Sequence, residues 1–195
     1  MVPARSAVLT VSAAPAVSAP TRLRLPDLLH ATDQGADDVL SGRYDHLLPS
    51  GGLPRDERWF TPLRGDEELD VWLISWVPDR STELHDHGGS LGALTVVSGT
   101  LRETRWDGQA LRRRRLRAGD QAGFPLGWVH DVVWAPQRDL SPSTTAGLYV
   151  AGCAAPAMSV HAYSPPLTAM SYYEVTERNT LRRKRTELTD TPEGQ

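Results

Sequence analysis

Apolar residues in this chain come in short bursts, separated by glycine, proline and charge. Val71-Trp72-Leu73-Ile74-Ser75-Trp76-Val77 is a compact apolar run bounded by charged residues and then Pro78, and it predicts a buried strand. Leu94 to Val97 and Leu101 to Trp106 predict the next two strands, with Ser98-Gly99 between them. Asp107-Gly108 is a strong hairpin turn, followed by a strand through Leu111 and Leu116 and a further turn at Gly119-Asp120. Val129 to Trp134 and Met158 to Tyr163 complete the strand candidates. Upstream, Leu25, Leu28, Leu29, Val39 and Leu40 are spaced for one or two short amphipathic helices, with Pro26 suited to a first helical turn. Many short strands with so little helix predict an all-β sandwich or barrel. Residues 1–20 read as a disordered leader, 21–175 as one domain, and 176–195, with Arg182-Arg183-Lys184-Arg185, as a loose polar tail.

Composition narrows the classes. A chain of 195 residues suits one domain with tails, and its 16 glycines and 15 prolines are spread as punctuation between strands. A net charge of −3 argues against a nucleic-acid scaffold, which would need a strongly basic face. Arg112 to Arg115, with Arg117, form the one dense basic run before the tail; a solvated outer face of a hairpin strand accounts for it, and an anion-binding patch is the alternative. Cys153 is the only cysteine, so neither an internal disulfide nor a cysteine metal site can form, which fits a reducing, cytoplasmic setting. No stretch is long enough to span a membrane. Ala7 to Ala19 faintly imitates a secretory signal, but Pro15 and several hydroxyl residues interrupt it.

The chemistry concentrates in the histidines. His85-Asp86-His87 puts two imidazoles on the same side of an extended segment, because strand side chains alternate faces, and two ring nitrogens on one face can grip one metal ion. Asp86, between them, points away. An exposed His-x-His without a metal is the competing reading when the motif stands alone. Ser159-Val160-His161-Ala162-Tyr163 places three polar side chains on one face of a strand and small apolar ones on the other. If that face looks inward, Ser159 can orient His161 and His161 can orient Tyr163; an exposed alternating strand is the bland alternative.

The surrounding residues decide between these readings. His85 and His87 are followed by Gly88-Gly89-Ser90 and Gly99, and a second pattern runs Gly119, Pro125, Gly127, His130. In this order and spacing the chain resembles the cupin superfamily, with Gly92 where the usual glutamate ligand stands and Trp134 in place of the final asparagine. The resemblance implies a cupin β-barrel (a double-stranded β-helix, or jelly roll) with short N-terminal helices. Losing the glutamate leaves a set of three neutral imidazoles, suited to an anionic ligand such as a thiolate; residue type alone does not choose among iron, zinc, copper and nickel.

The segment Ser159 to Leu167, with His85 to Glu103 and Gly119 to Val133, resembles the bacterial branch of the cysteine dioxygenases, over most of residues 58–175. That resemblance implies Fe(II) on His85, His87 and His130, a Ser159-His161-Tyr163 relay, and L-cysteine and dioxygen as the substrates of a monomeric enzyme forming cysteine sulfinic acid. Another small thiol such as 3-mercaptopropionate, or a non-catalytic metal-binding cupin, are the alternatives. Animal members join a cysteine to the relay tyrosine; here that position is Gly92, so the bond cannot form. Residues 134–152 read as an insertion rich in Pro, Ser and Thr, and Cys153 as a buried small hydrophobe or a loop thiol. For the arginine that pairs with the substrate carboxylate, Arg58 is the best match, with Trp59 in the ungapped register and Arg64 nearby.

Overall fold

The computed structural model describes residues 23–137 and 155–192; the leader, Cys153 and residues 138–152 of the insertion lie outside the described residues. One helix, α1 (Leu25–Leu40), and a short 3-10 turn (Asp45–Leu47) precede eleven strands: β1 (Trp59–Gly65), β2 (Asp70–Trp76), β3 (Leu84–Asp86), β4 (Leu91–Ser98), β5 (Thr100–Trp106), β6 (Leu111–Arg117), β7 (Gln121–Phe124), β8 (His130–Trp134), β9 (Ala157–Ser164), β10 (Ala169–Val175) and β11 (Leu181–Leu188). They form two antiparallel sheets, ordered β1-β2-β9-β4-β7 and β11-β10-β3-β8-β5-β6. The chain crosses repeatedly between the two sheets, which is the cupin double-stranded β-helix.

Period-two alternation builds the barrel. Ile74 and Trp76 of β2 join Leu94, Val96, Leu101, Leu116, Phe124 and Val132 in a core drawn from both sheets, so these side chains fill the space between them. Val71 and Leu73, with the opposite parity, pack with Leu28 and Ala36 of α1, Ala93, Val160 and Ala162 in a second cluster. The five-stranded sheet is therefore buried on both faces, which explains why β2 reads as a continuous apolar run.

The helix is single where one or two were expected. Leu28, Ala31, Thr32, Gly35 and Ala36 form its buried stripe, Pro26 occupies its first turn, and the Arg24 amide donates to Asp27 Oδ2 at 2.7 Å. A Cβ on Gly35 would lie 2.9 Å from Val160 Cγ1, so glycine permits the close seating of α1 on β9. Leu40, counted in the predicted apolar set, is exposed instead.

The expected loose tail is corrected. Leu181–Leu188 pairs along β10 as the edge strand β11, after a turn in which Asn179 adopts a left-handed backbone (φ 55°). Arginine and lysine on an exposed edge block further strand pairing, and that same composition disguises the strand as a solvated tail.

Candidate metal centre

β3 is only three residues long, but it lies between β10 and β8 and carries His85 inward. The chain continues extended to His87 and then turns: Gly88 is left-handed (φ 58°) and the Ser90 amide donates to the His87 carbonyl at 3.0 Å. His130 opens β8 directly opposite His85 in register. The three imidazoles, each at most 3% exposed, offer ligand atoms that all lie within 4.8 Å of one another. Their ring centroids are 4.9 Å (His85–His130), 5.2 Å (His85–His87) and 5.2 Å (His87–His130) apart.

Hydrogen bonding sets which nitrogen of His85 carries the proton. Its Nδ1 is 2.9 Å from the Glu83 carbonyl, an acceptor only, so Nδ1–H donates and Nε2 keeps its lone pair for a metal. Glu83 holds a left-handed backbone (φ 59°), which costs a residue with a Cβ about 1–2 kcal/mol. Its carboxylate is tied to Lys184 Nζ at 2.9 Å and Arg185 Nη2 at 2.8 Å, both on β11, and these bonds, Arg185 first, hold the carboxyl down at about 2. Asp86 points away from the triad, as expected. It accepts from the amides of Gly88 (2.9 Å) and Ser171 (3.3 Å) and from the Tyr173 hydroxyl (2.6 Å), fixing the turn that carries His87.

Gly92 lies against the His87 ring: a Cβ there would be 3.0 Å from His87 Nδ1 and 3.0 Å from Phe124 Cδ2. It is also the register partner of Tyr163 across β4 and β9, so no side chain stands between that tyrosine and His87. The Tyr163 and His87 rings meet edge to face with centroids 5.0 Å apart.

Ser159, His161 and Tyr163 face inward and are fully buried. Ser159 Oγ is 3.0 Å from His161 Nε2, and His161 Nδ1 is 3.1 Å from the Tyr163 hydroxyl. The indole N–H of Trp76 donates to Ser159 Oγ at 2.8 Å. In the arrangement that uses each donor once, Ser159 donates to His161 Nε2 and His161 Nδ1–H donates to Tyr163, leaving the phenol O–H for another acceptor. Arg58 lies over the Trp76 ring, its guanidinium carbon 4.2 Å from the centroid, with Nε and Nη2 buried. Trp59 packs instead in the cluster beneath α1, and Arg64 is exposed at the far end of β1. Of Arg58, Trp59 and Arg64, Arg58 is the one that lies on Trp76, the residue whose indole N–H donates to Ser159. Trp134, in place of the cupin asparagine, packs against the barrel core and donates to the Ala155 carbonyl at 3.2 Å.

Two residues of this centre carried no site role in the sequence expectations, Glu103 and Trp76. The Glu103 side chain is fully buried on β5; its Oε1 is 3.5 Å from His130 Nδ1 and accepts from Trp128 Nε1 at 3.4 Å, and Oε2 accepts from Arg114 Nε. Burial pushes the Glu103 carboxyl up, but His130 and then Arg114 outweigh it and hold it below the ordinary carboxylate range. The legible signal was its parity, since Glu103 shares a strand face with the core residue Leu101. The donor set fits a metal ion: three buried imidazoles converge, and at two of them the remote nitrogen faces an acceptor.

The family model described as cysteine dioxygenase type I matches residues 55–123, a span that includes Arg58, Trp76, His85, His87 and Glu103. Solved structures that align with the chain include KdgF from Halomonas sp. (14% identity, 57% of this chain and 82% of that one, TM-score 0.42). A protein with a double-stranded β-helix domain from Klebsiella pneumoniae aligns at 16% identity over 72% of this chain and 93% of that one, TM-score 0.43. A cupin superfamily protein from Desulfitobacterium hafniense aligns at 11% identity over 57% and 81%, TM-score 0.42.

Proposed function

We propose that this chain is an Fe(II)-dependent thiol dioxygenase that converts L-cysteine and dioxygen to cysteine sulfinic acid. The observation that carries the reading is the meeting of a three-histidine set with a buried Ser159-His161-Tyr163 relay whose tyrosine ring adjoins His87. The cysteine dioxygenase type I match over residues 55–123 supports the same chemistry.

His85, His87 and His130 would hold the ion, His85 through Nε2 because its Nδ1 faces the Glu83 carbonyl. All three are neutral donors, so the protein leaves the cation's charge for an anionic thiolate to balance. Ferrous iron, when bound there, would supply the acidification of the thiol and a meeting point for sulfur and dioxygen. The work of the chain's own residues is to bind and orient. Arg58, steadied on the Trp76 face, presents a planar fork to the substrate carboxylate. Tyr163 is oriented by His161, so its O–H is directed at the reacting atoms. Burial of the relay and of the triad excludes competing water. Both atoms of dioxygen end on sulfur, and no external reductant is consumed.

The test is oxygen uptake by purified, iron-loaded protein, acting as a monomer, with L-cysteine and with 3-mercaptopropionate. The reading expects one dioxygen consumed per thiol and a sulfinic acid identified by mass. A faster rate with 3-mercaptopropionate reassigns the substrate within the same chemistry. Iron bound without oxygen uptake on any small thiol overturns the enzyme and leaves a metal-binding cupin.

A further inference from the structure

The arginine run of β6 is not a uniform solvated face. Arg112 pairs with Asp107 at the hairpin (2.6 Å) and Arg115 Nη1 donates to the Pro136 carbonyl at 2.7 Å, both ordinary surface contacts. Arg114 is different. It is the register partner of Glu103 across β5 and β6, and it reaches from a half-exposed position to a carboxylate that is 0% exposed. That carboxylate is shared by its two oxygens: Oε2 takes Arg114, and Oε1 faces His130 Nδ1 and the Trp128 indole N–H.

A buried carboxylate without compensating donors is strongly unfavourable, so Glu103 keeps its place only because each oxygen is engaged. The engagement has a direction. With Oε1 3.5 Å from Nδ1, the proton of His130 is favoured on Nδ1, which leaves the Nε2 lone pair for the triad. The charge that Oε1 presents to the imidazole depends on how much of it Arg114 withdraws at Oε2. A surface cation is thereby connected through one side chain to a buried ring of the triad.

We infer that Glu103 and Arg114 act as a positioning pair for His130, fixing its tautomer and setting its donor strength toward the metal. The inference rests on the metal-holding reading of the triad, but not on the identity of the substrate. Lysine at position 114 supplies charge without the guanidinium fork, so it restores the pair in part.

The experiment measures ferrous-ion affinity by chelator competition, together with the visible d–d bands of the Co(II)-loaded protein, which report the ligand field at the ion. Variants are Glu103→Gln, Arg114→Ala, Arg114→Lys, the double variant Glu103→Gln/Arg114→Ala, and Arg113→Ala as a control on the opposite face of β6. Glu103→Gln is expected to weaken ferrous binding roughly 10–100-fold and to shift the Co(II) bands. Arg114→Ala shifts them the same way by less, Arg114→Lys recovers part of the loss, and the double variant is no worse than Glu103→Gln, as coupling through one carboxylate requires. Arg113→Ala leaves both readouts as in wild type. Circular dichroism identifies any variant that fails to fold; should Glu103→Gln be one, the Arg114 series decides. Unchanged affinity and bands in Arg114→Ala, or strict additivity in the double variant, overturn the pair. Wild-type protein that refuses ferrous ion overturns both the triad reading and the pair, whereas iron binding without thiol oxidation removes the dioxygenase and leaves the pair standing.

Discussion

The indole N–H of Trp76 donates to Ser159 Oγ at 2.8 Å, and the other aspect of that tryptophan is the platform for Arg58. One side chain therefore serves both the relay and the candidate carboxylate anchor. Trp76→Phe keeps an aromatic face but removes the donor; it is expected to lower kcat about tenfold with little change in KM and none in bound iron. Trp76→Leu removes the platform too and is expected to raise KM for L-cysteine. Steady-state oxygen uptake with metal analysis separates the two effects, and identical behaviour of both variants would contradict the division.

His130→Ala removes the proposed ligand on β8. Iron content measured by mass spectrometry is expected to fall by more than an order of magnitude and thiol oxidation to vanish, while the fold is retained. Stoichiometric iron in that variant would place the ion elsewhere.

Gly92→Ala puts a methyl group 3.0 Å from both His87 and Phe124, so one of the rings must yield by a few tenths of an ångström. The expected result is a ferrous affinity reduced about tenfold, with a change in melting temperature of only a few degrees, since the strain falls on a ligand. Normal iron binding would show that His87 has more room than its contacts imply.

Truncation after Val175 removes β11, exposes the edge of β10, and takes away the Lys184 and Arg185 partners of Glu83. Loss of a full strand pairing is expected to cost several kcal/mol of stability and to weaken iron binding through His85. A truncated protein with wild-type melting temperature and iron content would restore the loose-tail reading.

Asp70 sits at the β1–β2 hairpin, where burial, with Asp66 and Asp190 adding repulsion, pushes its carboxyl above the ordinary value. The folded state holds this proton more tightly than the unfolded chain, so Asp70 opposes folding increasingly as pH rises from the usual carboxylate range, and fully above its raised value. Asp70→Asn is expected to raise the melting temperature at pH 7 and to lose that advantage at pH 3. A gain that is independent of pH would assign the effect to packing.

Much of this was legible because side-chain alternation is a geometric rule. It puts His85 with His87, and Ser159 with His161 and Tyr163, on common faces before any coordinates exist. It could not say how deep a face lies, and for that reason Glu103 stayed unnoticed although it shares parity with Leu101. The β11 strand was hidden by its own edge chemistry: charges that deter further pairing resemble those of an unstructured tail. The gap between Leu29 and Val39 in the apolar pattern allowed one helix or two, and it is filled by Ala31, Thr32, Gly35 and Ala36, small residues that seat a single helix closely, Gly35 against Val160. Trp76 read correctly as core, but the partner of its N–H is a residue 83 positions away, which no local pattern discloses.

The brevity of β3 has a mechanical consequence. It touches β8 through the single register pair His85–His130, so the seam between these strands has little backbone bonding of its own. An ion gripped from both sides fastens it: at a concentration a hundred times its dissociation constant, such a ligand adds about 2.7 kcal/mol to the folded state. On the proposed function, the supply of metal would then govern how tightly the barrel is laced as well as whether it can react, and a metal-starved protein would be loosest at the three-histidine centre.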